Sequence, residues 1–168
     1  MASDGEGRQK QELDAEPNAA NHFRLDHIGP IVESYQHLLG RTLLPPALEG
    51  TTLAKALYHA PFALVSHDTQ ADPLFNYANL TAQQLFGMTW GEFVRLPSRY
   101  SAEEPRRATR AQLLQQVAIQ GYIDNYSGIR IAKNGQRFAI EQATVWNVTT
   151  RTGVAYGQAA LFAHWVFL

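Results

Sequence analysis

An Asn134-Gly135 dipeptide separates two long strand-like stretches, Tyr122 to Ala132 and Arg137 to Val148. Asn-Gly tolerates the positive φ angles of a two-residue hairpin turn whose twist matches paired strands, so this centre is expected to fold as a β-hairpin. A lone hairpin is marginal in water and needs more strands or a helix layer against it. A loop around Thr152-Gly153 returns the chain into a third expected strand, Val154 to Leu168. Upstream, Phe62 to Val65 is a short apolar run closed by Ser66-His67-Asp68, and Asp72-Pro73 opens a second strand, Leu74 to Tyr77. These two read as another hairpin.

Helices are expected between the two groups of strands. Asn79 is placed to cap Leu80 to Phe86, and Thr89-Trp90-Gly91-Glu92 has capping-box spacing. A longer helix is expected over Glu103 to Gln120, with Leu113, Leu114, Val117 and Ala118 on its apolar face and Gly121 ending it. Its start is open between a Ser101/Glu104 capping box and a Glu104 cap with Pro105 as first residue. Ahead of the strands, Ile31, Tyr35 and Leu38 share one helical face, with Pro30 suited to a first turn and Gly40 as a stop. Leu53, Ala56, Leu57 and Ala60 share another after a Thr51 cap. Two such short helices do not stand alone and must lie on something. The expected organisation is a disordered tail over 1–21, a helical extension packing on the core over 22–60, and the main domain over 61–168. That domain is α+β, a five-stranded antiparallel sheet with helices on one face.

Composition narrows the function classes. At 168 residues the chain has room for one domain. The first 21 residues carry −3 and the remainder +2, which gives no general attraction to nucleic acid or anionic membrane. No cysteine is present, which removes disulfides, thiolate ligands, thiol nucleophiles and cysteinyl flavin photochemistry. Ala159 to Leu168 is too short to span a bilayer and is broken by His164. A cytoplasmic location is expected, since no apolar core follows a basic start at the N-terminus.

Several stretches carry a family resemblance. Asn76-Tyr77-Ala78-Asn79, then Leu85-Phe86-Gly87-Met88 and Trp90-Gly91-Glu92-Phe93, resembles a PAS domain after its second strand; Ala132-Lys133-Asn134-Gly135 with Arg137-Phe138 resembles its central hairpin. Val65 to Asp68, Leu96 to Arg99, Gly121 to Gly128 and Ala143 to Asn147 are more specifically similar to MEKHLA-domain proteins of the stand-alone bacterial type. The resemblance implies a PAS-like fold and a sensing or regulatory role without an established chemistry. That family also supplies the C-terminal module of plant homeodomain leucine-zipper regulators. Their DNA-binding and zipper segments have no counterpart in this sequence.

Enzyme signatures are sparse. There is no phosphate-binding glycine loop and no G-x-G-x-x-G, and Ser66-His67-Asp68 are neighbours on an extended chain whose side chains diverge. An unrecognised enzyme using Glu141 or His67 has the least support. The six histidines lack H-x-x-x-H spacing, so no metal, haem or other cofactor is assigned. Arg95, Arg99, Arg106, Arg107 and Arg110 lie among Glu103 and Glu104 and read as a solvated face, not a nucleic-acid site. Interior polar residues carry the sharper hypothesis. If Phe138 and Ile140 face inward, alternation brings Gln142, Thr144 and Trp146 with them; the other register turns Ala139, Glu141, Ala143 and Val145 inward. We take the first register. Together with Tyr77, Asn79, Tyr126, Arg130 and Gln158, these residues are the candidate lining for a small aromatic or carboxylate ligand. The plainer reading of Arg130 is an ion pair with Glu141. The rival function is a homodimer or a regulatory protein contact using Ile31, Tyr35, Leu38, Trp165 and Phe167, because exposed aromatics there are costly.

Overall fold

The computed structural model describes residues 14–45, 48–103 and 107–168. Helices α1 (Leu25–Leu39) and α2 (Gly50–Tyr58) precede strands β1 (Ala63–His67) and β2 (Phe75–Ala78). Helices α3 (Leu80–Phe86), α4 (Trp90–Phe93) and α5 (Arg107–Gln120) follow. Strands β3 (Tyr122–Ile131), β4 (Arg137–Thr149), β5 (Ala155–Phe162) and β6 (His164–Phe167) complete the chain. The sheet is antiparallel in the order β2-β1-β5-β4-β3, with β6 also on β4.

The expected last strand is divided at Ala163 into β5 and β6. Thr144 pairs with Leu161 and Glu141 with His164, so both pieces follow one register along β4. The interruption lies opposite Gln142, a residue with φ of 53°. Along β3 the register shifts once between Ile123 and Tyr126 and back between Tyr126 and Gly128. The first shift holds Asn125, φ 58°, as an extra residue on β3; the second holds an extra residue on β4 at Gln142. Two compensating β-bulges therefore sit side by side.

The bulge at Gln142 corrects the strand register. Neither expected alternation holds along all of β4. On the C-terminal side of the bulge, Thr144, Trp146 and Val148 are buried on the sheet face covered by α1 and α2. On its N-terminal side, Phe138 and Ile140 join Ala143 on the opposite face, against α3 and α4. The extra residue shifts the two-residue alternation by one and exchanges the faces. Gln142 itself is exposed.

Helices thus cover both faces. The first core gathers Ile28, Ile31 and Tyr35 of α1 and Leu57 and Tyr58 of α2 on Leu64, Tyr77, Trp146 and Ala159. The second gathers Ala82, Phe86 and Phe93 on Val65, Phe75, Phe138 and Phe162. Helix α4 straddles the β2 edge, sending Trp90 into the first core and Phe93 into the second. Pro30 lies in the sixth position of α1 and not in its first turn, because three left-handed residues, His22 to Arg24, deliver the chain directly into the helix at Leu25. Within the expected tail, Asn18 caps a 3-10 turn that starts at Ala19, and residues 1–13 lie outside the described residues. The α5 capping choice falls on Glu104 and Pro105, which lie outside them as well.

Candidate functional site

Two polar assemblies stand out, one on each sheet face. The first is buried under α1. Ser66 Oγ donates to Asn76 Oδ1 at 2.6 Å, so its lone pairs are left to accept from His27 Nε2 at 3.0 Å. That fixes the imidazole tautomer, and Nδ1 accepts the Tyr156 hydroxyl at 2.7 Å. Every proton in the row Tyr156–His27–Ser66–Asn76 is placed with a neutral histidine. Burial, reinforced by the Arg24 charge, lowers the His27 pKa to about 4. Tyr156 reaches the row through a register slip between Val148 and Thr149, which leaves it as the extra residue on β5. Beside it Gly157 is obligatory, since a Cβ there would meet the His67 carbonyl oxygen at 2.2 Å. Tyr77 stacks on His27 at 5.8 Å and meets Trp90 edge-on at 5.7 Å. Its hydroxyl is buried without a hydrogen-bond partner among the described residues, and burial raises its pKa.

The second assembly lies on the other face, beneath α5. Tyr126 and Arg130 come from β3 and Gln158 from β5, and all three point to this side. The Arg130 guanidinium lies 5.9 Å from the Tyr126 ring centre. The Tyr126 hydroxyl occupies the space a side chain on Gly128 would take, 2.6 Å from a Cβ there. Gln158 Nε2 donates to Asn147 Oδ1 at 3.3 Å. Asn147 in turn donates to the Val117 carbonyl near the end of α5 at 3.5 Å. Ala143 and Ala160 leave the floor between these polar groups shallow.

The other expected lining residues are placed elsewhere. Asn79 caps α3 through Ala82 N–H, accepts from Leu64 N–H, and donates to the Leu57 and Phe62 carbonyls. All four positions of its amide are taken, which leaves none for a ligand. Thr144 donates to Asp124 at 2.8 Å, and the Trp146 indole donates to the Ile31 carbonyl at 3.1 Å. Both face α1. Arg130 and Glu141 make no ion pair, because Arg130 lies opposite Phe138 and plain alternation turns Glu141 to the other face. Ile31 and Tyr35, expected at an interface, are buried inside the chain, Tyr35 edge-on to Trp146 at 4.9 Å. Leu38 is half-buried in the same layer, Trp165 packs edge-on to Phe162, and Phe167 is 58% exposed. Sequence reasoning missed Asn147, although alternation places it on the Val145 side of β4. It also missed the His27 row, for which no local spacing exists.

Among the described residues, two cavities flank the domain. One of about 500 Å³ lies between α1, α2 and residues 42–45 and 48–49. The other, about 590 Å³, runs along α3 and α4. Neither includes the expected lining residues. Among the described residues no group of three His, Asp or Glu could hold a metal ion, and no helix is long and apolar enough to cross a membrane. Of the arginine cluster, Arg95 pairs with Asp14 and Arg99 with Asp72; Arg106 lies outside the described residues.

Comparison with known proteins agrees with this architecture. Homeobox-leucine zipper protein ATHB-15 of Arabidopsis thaliana is 24% identical over 139 residues, covering 82% of this chain and 17% of its own length. HOX29 of Oryza sativa subsp. indica is 22% identical, covering 82% and 16%. The chain therefore spans about one sixth of these relatives. Among solved structures, a PAS domain from Colwellia psychrerythraea superimposes with TM-score 0.56 at 17% identity, over 65% of this chain and 90% of that one. An RNA-binding light-oxygen-voltage receptor gives 0.58 at 21% identity, over 71% and 33%. The photo-excited blue-light photoreceptor Vivid gives 0.51 at 19%, over 79% and 92%. The fold is PAS-like, and since the MEKHLA domain family matches residues 25–167, the chain belongs to that family.

Proposed function

We propose that this MEKHLA domain is a non-enzymatic sensory module that takes up a small planar molecule between α5 and the β3-β4-β5 surface. Occupancy is passed on by association with another protein. One observation carries the reading. Tyr126, Arg130, Asn147 and Gln158 share one sheet face around small residues, while the rest of that face is filled by Phe75, Phe86, Phe93, Phe138 and Phe162. Aromatic packing closes one end, and polar groups of both donor and acceptor type line the other. Arg130, its guanidinium 5.9 Å from the Tyr126 ring centre and free of any ion pair among the described residues, is suited to a carboxylate or to the edge of an aromatic ring.

One solved neighbour is a light-oxygen-voltage domain studied with a flavin analogue, which makes flavins the first planar probes to try. With no cysteine in this chain, any flavin is held without a thiol adduct. The test is native mass spectrometry of protein purified from its own host, followed by thermal-shift titration with flavins and aromatic carboxylates. The expected result is a bound small molecule released on denaturation, and a Tm shift that is lost in Arg130→Ala and Gln158→Leu. Absence of both a bound mass and any shift overturns the reading. A second reading, a ligand-free interaction module, draws on Val166, Phe167 and Leu168, each more than half exposed. A dimer mass free of small molecules favours it.

A further inference from the structure

The segment from Asp14 to Asn18 lies across α2, α3 and α4 as a bound peptide would. Trp90 Nε1 donates to the Asp14 carbonyl at 2.8 Å, and the Asp14 carboxylate pairs with Arg95. The Tyr58 hydroxyl donates to Glu16 Oε1 at 2.7 Å, and it accepts from Gln83 Nε2 at 3.1 Å. Pro17 is buried next in line. The receiving groups are built for the task. With the segment in place Tyr58 is only 3% exposed and Trp90 4%, and each meets it through its polar atom. Arg95 is held with φ of 71° by its own N–H on the Phe75 carbonyl at 2.7 Å. A bulky residue in that conformation is uncommon, and here it aims the guanidinium outward.

The connection behind the segment is strained. His22, Phe23 and Arg24 have φ of 53°, 52° and 56°, three consecutive left-handed residues without a glycine. Bonds from Asn18 and Asn21 to the Glu16 carbonyl, each 2.8 Å, hold this tight course. The cleft along α3 and α4 begins beside Glu16 and continues past Gln83 and Met88, leaving room for chain beyond the docked residues.

We infer that the Tyr58, Trp90 and Arg95 surface is a recognition site for an acidic Asp-x-Glu-Pro peptide of a partner protein, which the chain's own Asp14–Pro17 occupies in cis. The site reads a carboxylate at each end of the three-residue step and one main-chain carbonyl between them. This inference stands apart from the ligand site under α5 and does not depend on it.

The experiment measures fluorescence anisotropy of a labelled peptide, Asp-Ala-Glu-Pro-Asn, against the full chain. The Asp14→Ala/Glu16→Ala double variant empties the site and is expected to bind the peptide at least tenfold more tightly than the wild type. Adding Arg95→Ala to the double variant removes that gain, as does replacing both acids of the peptide with their amides. Asp14→Ala alone keeps the Tyr58 contact and gives an intermediate gain, which carries the test where circular dichroism shows the double variant poorly folded. Equal binding to wild type and variants, or binding that survives Arg95→Ala, overturns the inference.

Discussion

His27 is a neutral imidazole with both nitrogens engaged, held between two hydroxyls under α1. Its folded-state pKa of about 4 lies below the ordinary 6.5. Between these values the unfolded chain takes a proton that the folded chain refuses, so stability falls as pH drops from about 6.5 to 4. The loss is on the order of 3 kcal/mol. Urea midpoints measured across that window are expected to fall with pH, and His27→Gln to flatten the slope. Tyr77 offers the opposite experiment. Its hydroxyl is buried without a partner among the described residues, so Tyr77→Phe is expected to raise stability by about 1 kcal/mol in thermal melts. Asn79 has all four amide positions engaged. Asn79→Ala removes a helix cap and orphans buried backbone groups, with an expected cost of roughly 3 kcal/mol. Asn79 also shows where sequence reading stops at this scale. Its cap was legible from position; its bonds back to Leu57, Phe62 and Leu64 are set by where the chain returns. The His27 row is equally silent in sequence, because its members lie far apart along the chain.

Hairpins and helix ends were the legible elements, since Asn134-Gly135, Gly40, Gly121 and the Thr89 to Glu92 box each act within a few residues. The bulges were not legible. Neither Asn125 nor Gln142 announces a positive φ as glycine does, yet Gln142 exchanges the faces of β4 and Asn125 those of β3. That exchange explains why Thr144 and Phe138, of equal parity along the strand, end in different cores. Replacing Gln142 with glycine removes the Cβ clash of a left-handed residue and is expected to stabilise the domain by about 1 kcal/mol without altering the sheet. A result of the opposite sign, read from denaturant midpoints, indicates that the bulge is pinned by the Gln142 side chain.

On the scale of the whole molecule, the sheet is the middle of three layers, and the N-terminal helices are as much a part of the core as the helices after β2. Trp146 is fully buried only because α1 lies on it, with Ile31 taking its indole proton. A chain starting at Pro61 leaves Trp146, Tyr77 and Leu64 bare on one sheet face, an apolar patch of the kind that drives association. Such a truncation is expected to aggregate, or to show molten behaviour with dye binding and a weak near-ultraviolet signal. The amphipathic faces of both helices were readable in sequence, and packing on the core was the expectation for 22–60; which sheet face they would meet was not readable, because an apolar stripe does not name what it meets. The layering also distributes the three tryptophans. Trp90 and Trp146 belong to the layer under α1 and α2, whereas Trp165 packs against the opposite one. Each layer therefore carries its own intrinsic fluorophore, and variants retaining one indole at a time can report whether the two halves of the molecule melt together or in sequence.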